Sequence, residues 1–197
     1  DIPPQVSEKM VFTGYIPRTL PKRGKVAEMR EEESLNQKER LVLVTTGGGG
    51  DGYPLMDAYL TMLENMERPP FRSILVSGPF MPKHMREDVH KRAAKVKAKF
   101  HHFHRRMEAL MGLADVVVSM GGYNTTCEIL SLGKPSLVVP REEPRLEQRI
   151  RAEVFKGHGL IEYLPWSELS PGTLGEKVTA LISDPRACCR GISGFRF

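Results

Sequence analysis

The sequence is short of cysteine. Cys127, Cys188 and Cys189 are the three among 197 residues. The adjacent pair is ill suited to bond to itself, and none stands in a CxxC or Cys/His spacing for zinc. A disulfide-stapled scaffold is therefore excluded, no metal site is expected, and a reducing, cytoplasmic setting is. No apolar run approaches the ~20 residues of a membrane span, and no signal peptide opens the chain. An initial Met is also lacking. The chain begins Asp1-Ile2-Pro3-Pro4, so it is expected to be processed or part of something larger. Charge of one sign is scarce as well: 29 Lys+Arg against 24 Asp+Glu leaves +5. An excess this small and this evenly spread does not argue for nucleic acid, though it suits an anionic ligand.

What is present fits one soluble globular domain, with 40% hydrophobic and 27% charged residues. A chain of this length buries roughly 70% of its unfolded surface without staples. Residues 1–24 read as an entry segment and inter-domain linker, with Val11 to Ile16 strand-like. The charges between Lys22 and Glu33 read as a solvated linker with a short helix. Residues 25–186 form the domain and 187–197 a tail.

From residue 41 strands and helices alternate. Leu41 to Thr45 is a continuous apolar, β-branched run, the mark of a strand buried on both faces of a parallel sheet. Further strands are predicted over 73–77, 99–103, 114–119, 136–139 and 160–163. Helices are predicted over 55–66, 83–97, 107–112, 125–132, 146–156 and 171–183. The helix ending at Leu132 is closed by Gly133, a C-cap signal. This pattern is an α/β, doubly wound, Rossmann-like parallel sheet of six strands. Ligands of such sheets bind beyond the carboxyl ends of the strands, where strand order reverses.

Two glycine-rich loops leave strand ends. The first, Gly47 to Gly52, satisfies G-x-G-x-x-G through Gly47, Gly49 and Gly52. The dinucleotide fingerprint also wants an acid at the end of the second strand, and that strand ends Ser77-Gly78-Pro79. The NAD reading weakens accordingly, while the backbone logic survives: glycines let the main chain approach a ligand, and a following helix offers free N–H groups. The second loop is Gly121-Gly122-Tyr123-Asn124-Thr125-Thr126-Cys127-Glu128. Asn124, Thr125 or Thr126 can cap the next helix, whose amino end would cradle a diphosphate. Glu128 either complements that helix end, in a capping box with Thr125, or accepts both hydroxyls of a ribose. Glu147 and Gln148 open a later helix. They read as an exposed charged start or as a reader of sugar hydroxyls. His101, His102 and His104 cluster at a strand end, a placement more often incidental than catalytic, and no catalytic base is assigned.

Taken together, Ala114 to Glu128, Gly133 to Arg141, Glu147-Gln148 and Arg151-Ala152 resemble the C-terminal domain of GT-B glycosyltransferases. The likeness is greatest to the group containing the bacterial lipid II-forming N-acetylglucosaminyltransferase, and it covers about residues 11–183. It implies one half of a GT-B fold that binds a nucleotide-sugar donor, UDP-linked by family habit, with no cofactor. Gly47, Gly48, Gly49, Gly121 and Gly122, with the backbone of Asn124 and Thr125, would face the diphosphate. Glu128 matches the ribose-holding glutamate, Glu147 and Gln148 the donor-sugar contacts, and Phe103, His104 and Met107 the loop lining the base. Val11 to Arg18 resemble the inter-domain linker. The family's acceptor-binding N-terminal half is not in this sequence, and with it goes any peripheral membrane contact. The tail also departs from the family's crossing helix. No Asp-x-Asp occurs, which speaks against the metal-chelating glycosyltransferases. A 2-epimerase half, a non-catalytic nucleotide-sugar-binding module and an NAD-dependent oxidoreductase are the alternatives.

Overall fold

The computed structural model describes residues 2–11, 13–188, 190–192 and 195. Six parallel strands build one sheet: β1 (Leu41–Thr45), β2 (Arg72–Val76), β3 (Lys99–His101), β4 (Val116–Ser119), β5 (Ser136–Val138) and β6 (Glu162–Tyr163). Its helices are α1 (Pro4–Ser7), α2 (Arg23–Glu32), α3 (Tyr53–Glu64), α4 (Lys83–Lys95), α5 (Met107–Leu113), α6 (Tyr123–Leu132), α7 (Glu147–Gly157), α8 (Pro171–Ser183) and α9 (Pro185–Cys188), with a 3₁₀ turn at Trp166–Glu168. The strands and helices expected from residue 41 onward all form. β3, β4 and β6 are shorter than their apolar runs. Much of the tail, including Cys189 and Phe197, lies outside the described residues.

The apolar run of β1 explains the layering. Successive side chains of a strand point to opposite faces. Val42 and Val44 pack with Tyr59 of α3, Val89 of α4 and Val178 of α8. Leu41 and Leu43 pack with Met29 of α2, Leu110 of α5 and Ile129 of α6. Both faces are thus covered, as a wholly parallel sheet requires. A third cluster, with Val138, Ala152, Phe155 and Leu160, seats α7 at the β5–β6 end. Several polar groups taken inside are paired, while His101 Nε2, Thr126 Oγ1, Ser136 Oγ and Arg141 Nε lack a hydrogen-bond partner. The hydroxyls of Tyr59 and Ser73 lie 2.9 Å apart, and Lys134 Nζ donates to the carbonyls of Gly112 and Ala114 at 2.6 and 2.7 Å. The expected helix stop at Gly133 is left-handed, at φ 59°.

Strand order is β3-β2-β1-β4-β5-β6. The chain builds outward from β1 to β3, then returns to lay β4 on the other side of β1. The order reverses between β1 and β4. Thr45 pairs with Ser119, so these two strands end level, and the loops leaving them stand side by side.

One expectation is corrected. The described residues of Val11 to Ile16 form no strand. Val11 is 86% exposed, and the segment runs beside helices rather than along the sheet's β3 or β6 edge. Tyr15 stacks on Tyr123 at 5.6 Å and packs on Phe155 at 5.0 Å. Arg18 donates its N–H to Ser131 Oγ at 2.8 Å. Among the described residues of this segment Tyr15 alone is an apolar anchor, with Val11 and Ile16 exposed, so the alternation that marks a strand has no sheet to serve.

Candidate functional site

At the reversal point lies a cavity of about 500 Å³, walled by the loops after β1, β2, β4 and β5. Its lining includes Gly47 to Asp51, Phe80, Gly122, Thr125, Arg141 and Gln148.

The glycine loop is shaped by its neighbour. Gly49 has φ +86°, and a Cβ there would stand 1.9 Å from the Ser77 carbonyl oxygen. Gly78 has φ +81°, and its Cβ would stand 2.1 Å from the Gly47 carbonyl oxygen. The two loops interlock backbone to backbone, which only glycine permits. Thr46 Oγ1 donates to the Ser77 carbonyl at 2.6 Å, and Phe80 N–H donates to the Gly48 carbonyl at 2.8 Å. The G-x-G spacing therefore serves this interlock as well as any ligand. Phe80 is carried by it to the cavity wall while staying 75% exposed.

The opposite wall is the amino end of α6. The helix starts at Tyr123 with Gly122 at the cap and no side-chain cap. This corrects the expected start at Thr125. Asn124 and Thr125 lie inside the first turn, where their helical backbone removes them from the capping position. Glu128 is in the second turn, so no capping box forms. The first-turn N–H groups keep their partial positive charge, with no acidic residue in that turn to answer it. Behind the loop, Arg151 is nearly buried, donates to the Gly121 carbonyl at 2.8 Å and pairs with Glu147. Across the cavity mouth, Arg141 meets Asp51 at 2.6 Å, and the Arg141 N–H donates to Gln148 Oε1 at 3.3 Å.

The cavity brings together Gly47, Gly48, Gly49, Gly122, Thr125 and Gln148 from the predicted set. Gly121 sits behind it against Val138. Asn124 Oδ1 accepts from Arg18 at 2.6 Å. Glu147 turns to Arg151. Glu128 is half-buried on α6; burial pushes its carboxyl up, with Arg18 opposing and Glu108 adding to the rise. Phe103 is 59% exposed, Met107 packs on the α2–α5 core, and His104 turns towards Glu33. Asp51 and Phe80 join the site from outside the predicted set. An apolar residue just past a Gly-Pro strand end is the signal that marks Phe80. Asp51, inside the glycine run, carries none until Arg141 is seen opposite.

A family model described as the glycosyltransferase family 28 C-terminal domain matches residues 41–189. The chain belongs to glycosyltransferase family 28. Among relatives of this family 28 domain is the UDP-N-acetylglucosamine–N-acetylmuramyl-(pentapeptide) pyrophosphoryl-undecaprenol N-acetylglucosamine transferase of Streptococcus agalactiae serotype Ia. It is 30% identical over 148 residues, covering 74% of this chain and 39% of the relative. The transferase of the same name from Streptococcus pneumoniae serotype 19F is 41% identical over 78 residues, which are 39% of this chain and 22% of that one. The chain thus spans well under half the length of these relatives. Among solved structures, Acinetobacter baumannii MurG superposes with TM-score 0.64 at 18% identity, covering 83% of this chain and 46% of that one. The UDP-GlcNAc 2-epimerase of Neisseria meningitidis, bound to UDP-GlcNAc, gives 0.59 at 18%, covering 84% and 42%. Both likenesses are of fold: the six-stranded parallel sheet is the Rossmann-like half of a GT-B fold. Among the described residues no helix is long and apolar enough to cross a membrane.

Proposed function

We propose that this chain is the donor half of an enzyme that moves a sugar from a nucleoside diphosphate, UDP in our reading, to an acceptor hydroxyl. The observation that carries this is the cavity at the strand-order reversal, with a glycine loop on one wall and the uncapped amino end of α6 on the other. In the transfer, a bond forms between the acceptor oxygen and the anomeric carbon. The bond from that carbon to the diphosphate oxygen breaks, and its electron pair leaves with the diphosphate. The first-turn N–H groups of α6 and the backbone at Gly47 to Gly49 and Gly122 stabilise that growing charge, an arrangement that costs no reorganisation during reaction. The acceptor proton goes to a base outside this chain. No cofactor takes part, and with no Asp-x-Asp in the sequence the diphosphate is held without a chelated metal.

Residue roles follow the family resemblance. Glu128 holds the ribose, Gln148 and Glu147 read the donor sugar, and Phe103 and Met107 flank the base. Glu108, at the start of α5, acts on the charge of Glu128, which supports base and ribose sites being neighbours. His104 serves from behind, through Glu33, by holding the loop after β3. The acceptor, and any membrane contact it brings, belongs to a second half such as the longer relatives contain. The free, buried Cys127 supports a reducing, cytoplasmic setting.

Isothermal titration of this chain with UDP, UDP-GlcNAc, other nucleotide sugars and NAD tests the reading. Saturable binding of UDP and a UDP-sugar is expected, with none for NAD. Binding of NAD alone would sink it.

A further inference from the structure

Away from the cavity, the carboxyl end of α2 meets the loop that leaves β3. Three metal-ligating side chains converge there: Glu33, His101 and His104, with ligand atoms all within 4.8 Å of one another. Glu33 follows α2 directly and is 4% exposed. Its Oε1 lies 3.1 Å from His101 Nε2 and 3.9 Å from His104 Nε2. The two imidazoles meet edge to face, with centroids 5.2 Å apart, so both ring nitrogens reach one point without the rings stacking.

From these positions we infer that Glu33, His101 and His104 form a binding site for a divalent transition metal, zinc above all. Two imidazoles and one carboxylate oxygen are an established zinc donor set, leaving a fourth position for water. Bond lengths of about 2.0–2.2 Å put neighbouring ligands of a tetrahedral zinc roughly 3.4 Å apart. The separations of 3.1 and 3.9 Å bracket that value, and small side-chain rotations close the difference. His101 Nε2 is shielded from solvent and lacks a well-aligned hydrogen bond, a state that costs free energy until some partner takes the atom. A metal is such a partner.

The surroundings orient the carboxylate. Lys99 Nζ lies 3.1 Å from Glu33 Oε2 and donates also to the Glu33 carbonyl. It occupies the second carboxylate oxygen and leaves Oε1 to the metal, as an outer-shell group does. His104 Nδ1 accepts a long 3.3 Å contact from the Arg106 N–H. Metal binding at Nε2 moves the ring proton to Nδ1 and gives up that contact for a coordination bond. The result is a clip between α2 and the loop carrying Phe103 and Met107. It is independent of whether the glycine-lined cavity binds a nucleotide.

The test is a titration of the chelator-treated chain with ZnCl₂, and with CoCl₂ as a spectroscopic probe. One equivalent of Zn²⁺ should bind, Co²⁺ should develop the visible absorption of a four-coordinate site, and Zn²⁺ should abolish it. His104→Ala and Glu33→Gln should each weaken Zn²⁺ at least about tenfold, given that even outer-shell changes cost 10–100-fold. His84→Ala and His158→Ala, on exposed histidines outside the cluster, should leave binding unchanged. If Glu33→Gln does not fold, His104→Ala with a native circular dichroism spectrum decides alone. No saturable Zn²⁺ binding to the wild type overturns the inference. So does binding that survives in His104→Ala or vanishes in the control variants.

Discussion

Replacing Glu128 by Gln pulls stability and ligand binding in opposite directions. Burial raises the Glu128 carboxyl above its ordinary value of 4.5, and the attraction of Arg18 does not offset it. A group whose folded pKa is raised favours folding in its protonated form. That contribution is complete below 4.5 and is lost as pH rises through the higher folded value. At pH 7 the ionised carboxylate is therefore a cost to the fold. Gln keeps the shape and removes the charge, so Glu128→Gln should melt higher than the wild type at pH 7. The gap should narrow as pH falls towards 4.5. For a domain of this size each kcal/mol returned is about 2–4 °C of Tm. Binding moves the other way if Glu128 holds the ribose, because one hydrogen bond to a charged acceptor is worth about 1.5–3 kcal/mol. UDP affinity should then fall roughly tenfold to a hundredfold, read by titration calorimetry. A variant that melts lower at pH 7 would show that burial of this carboxylate is not a penalty. An unchanged Kd for UDP would remove Glu128 from the ribose site.

Gly49→Ala puts a Cβ 1.9 Å from the Ser77 carbonyl oxygen at positive φ. It should cost at least about 2 kcal/mol, seen as a Tm drop of several degrees. A methyl on Gly122 would meet nothing within 4 Å, and φ there is an ordinary −57°, so Gly122→Ala should leave Tm nearly unchanged. Because that methyl enters the cavity wall, UDP binding should weaken, and equal affinities would move the diphosphate elsewhere. Arg151→Met strips the Gly121 carbonyl of its 2.8 Å donor, and an unsatisfied buried acceptor costs about 1–3 kcal/mol; thermal melting checks it. Asp51 and a bound diphosphate compete for Arg141. Asp51→Asn should tighten UDP, and Arg141→Gln should loosen it, each by a few-fold at low salt, since exposed pairs are worth about 0.2–1 kcal/mol. A loss of affinity in Asp51→Asn would contradict that competition.

The fold was legible where local chemistry and tertiary packing agree. Leu41 to Thr45 is buried at every position because both faces of β1 are covered, and no partner need be known to read that. Val11 to Ile16 misled because an exposed segment held by one aromatic anchor, Tyr15, and a buried strand look alike until the neighbours are seen. The amino end of α6 misled differently. Asn and Thr are good caps, yet a glycine with extended backbone at 122 starts the helix two residues earlier, and cap preference of about 1 kcal/mol is too small to override the loop that positions the chain. Asp51, Phe80 and Arg141 meet only through the strand-order reversal, which adjacency in sequence does not encode. The Glu33 cluster was hidden for the same reason. His101 and His104 stand in plain view, but their carboxylate lies on a segment that reads as solvated linker, and Glu33 is buried where α2, with its Met29 in the core, meets Lys99 and His101.

The same packing explains how the site divides its labour. Of the helices that start beside the cavity, α3 and α6 have glycine at the cap, no side-chain cap and no acid in the first turn, whereas α7, which brings Gln148 to the wall, carries Glu147 there. A helix start left bare in this way forgoes up to about 1 kcal/mol of capping, and two side by side at one strand-order reversal add their partial positive charges in one place. Of the two acids in the cavity lining, Asp51 and Glu143, Asp51 is tied to Arg141. A dianionic diphosphate would complete both helix starts at once and release that pair. The modest net charge of +5 thus understates the field expected at the cavity, because oriented backbone adds to what Arg141 supplies there. That is why a weak net charge could argue against nucleic acid and still give no pointer to the proposed diphosphate site.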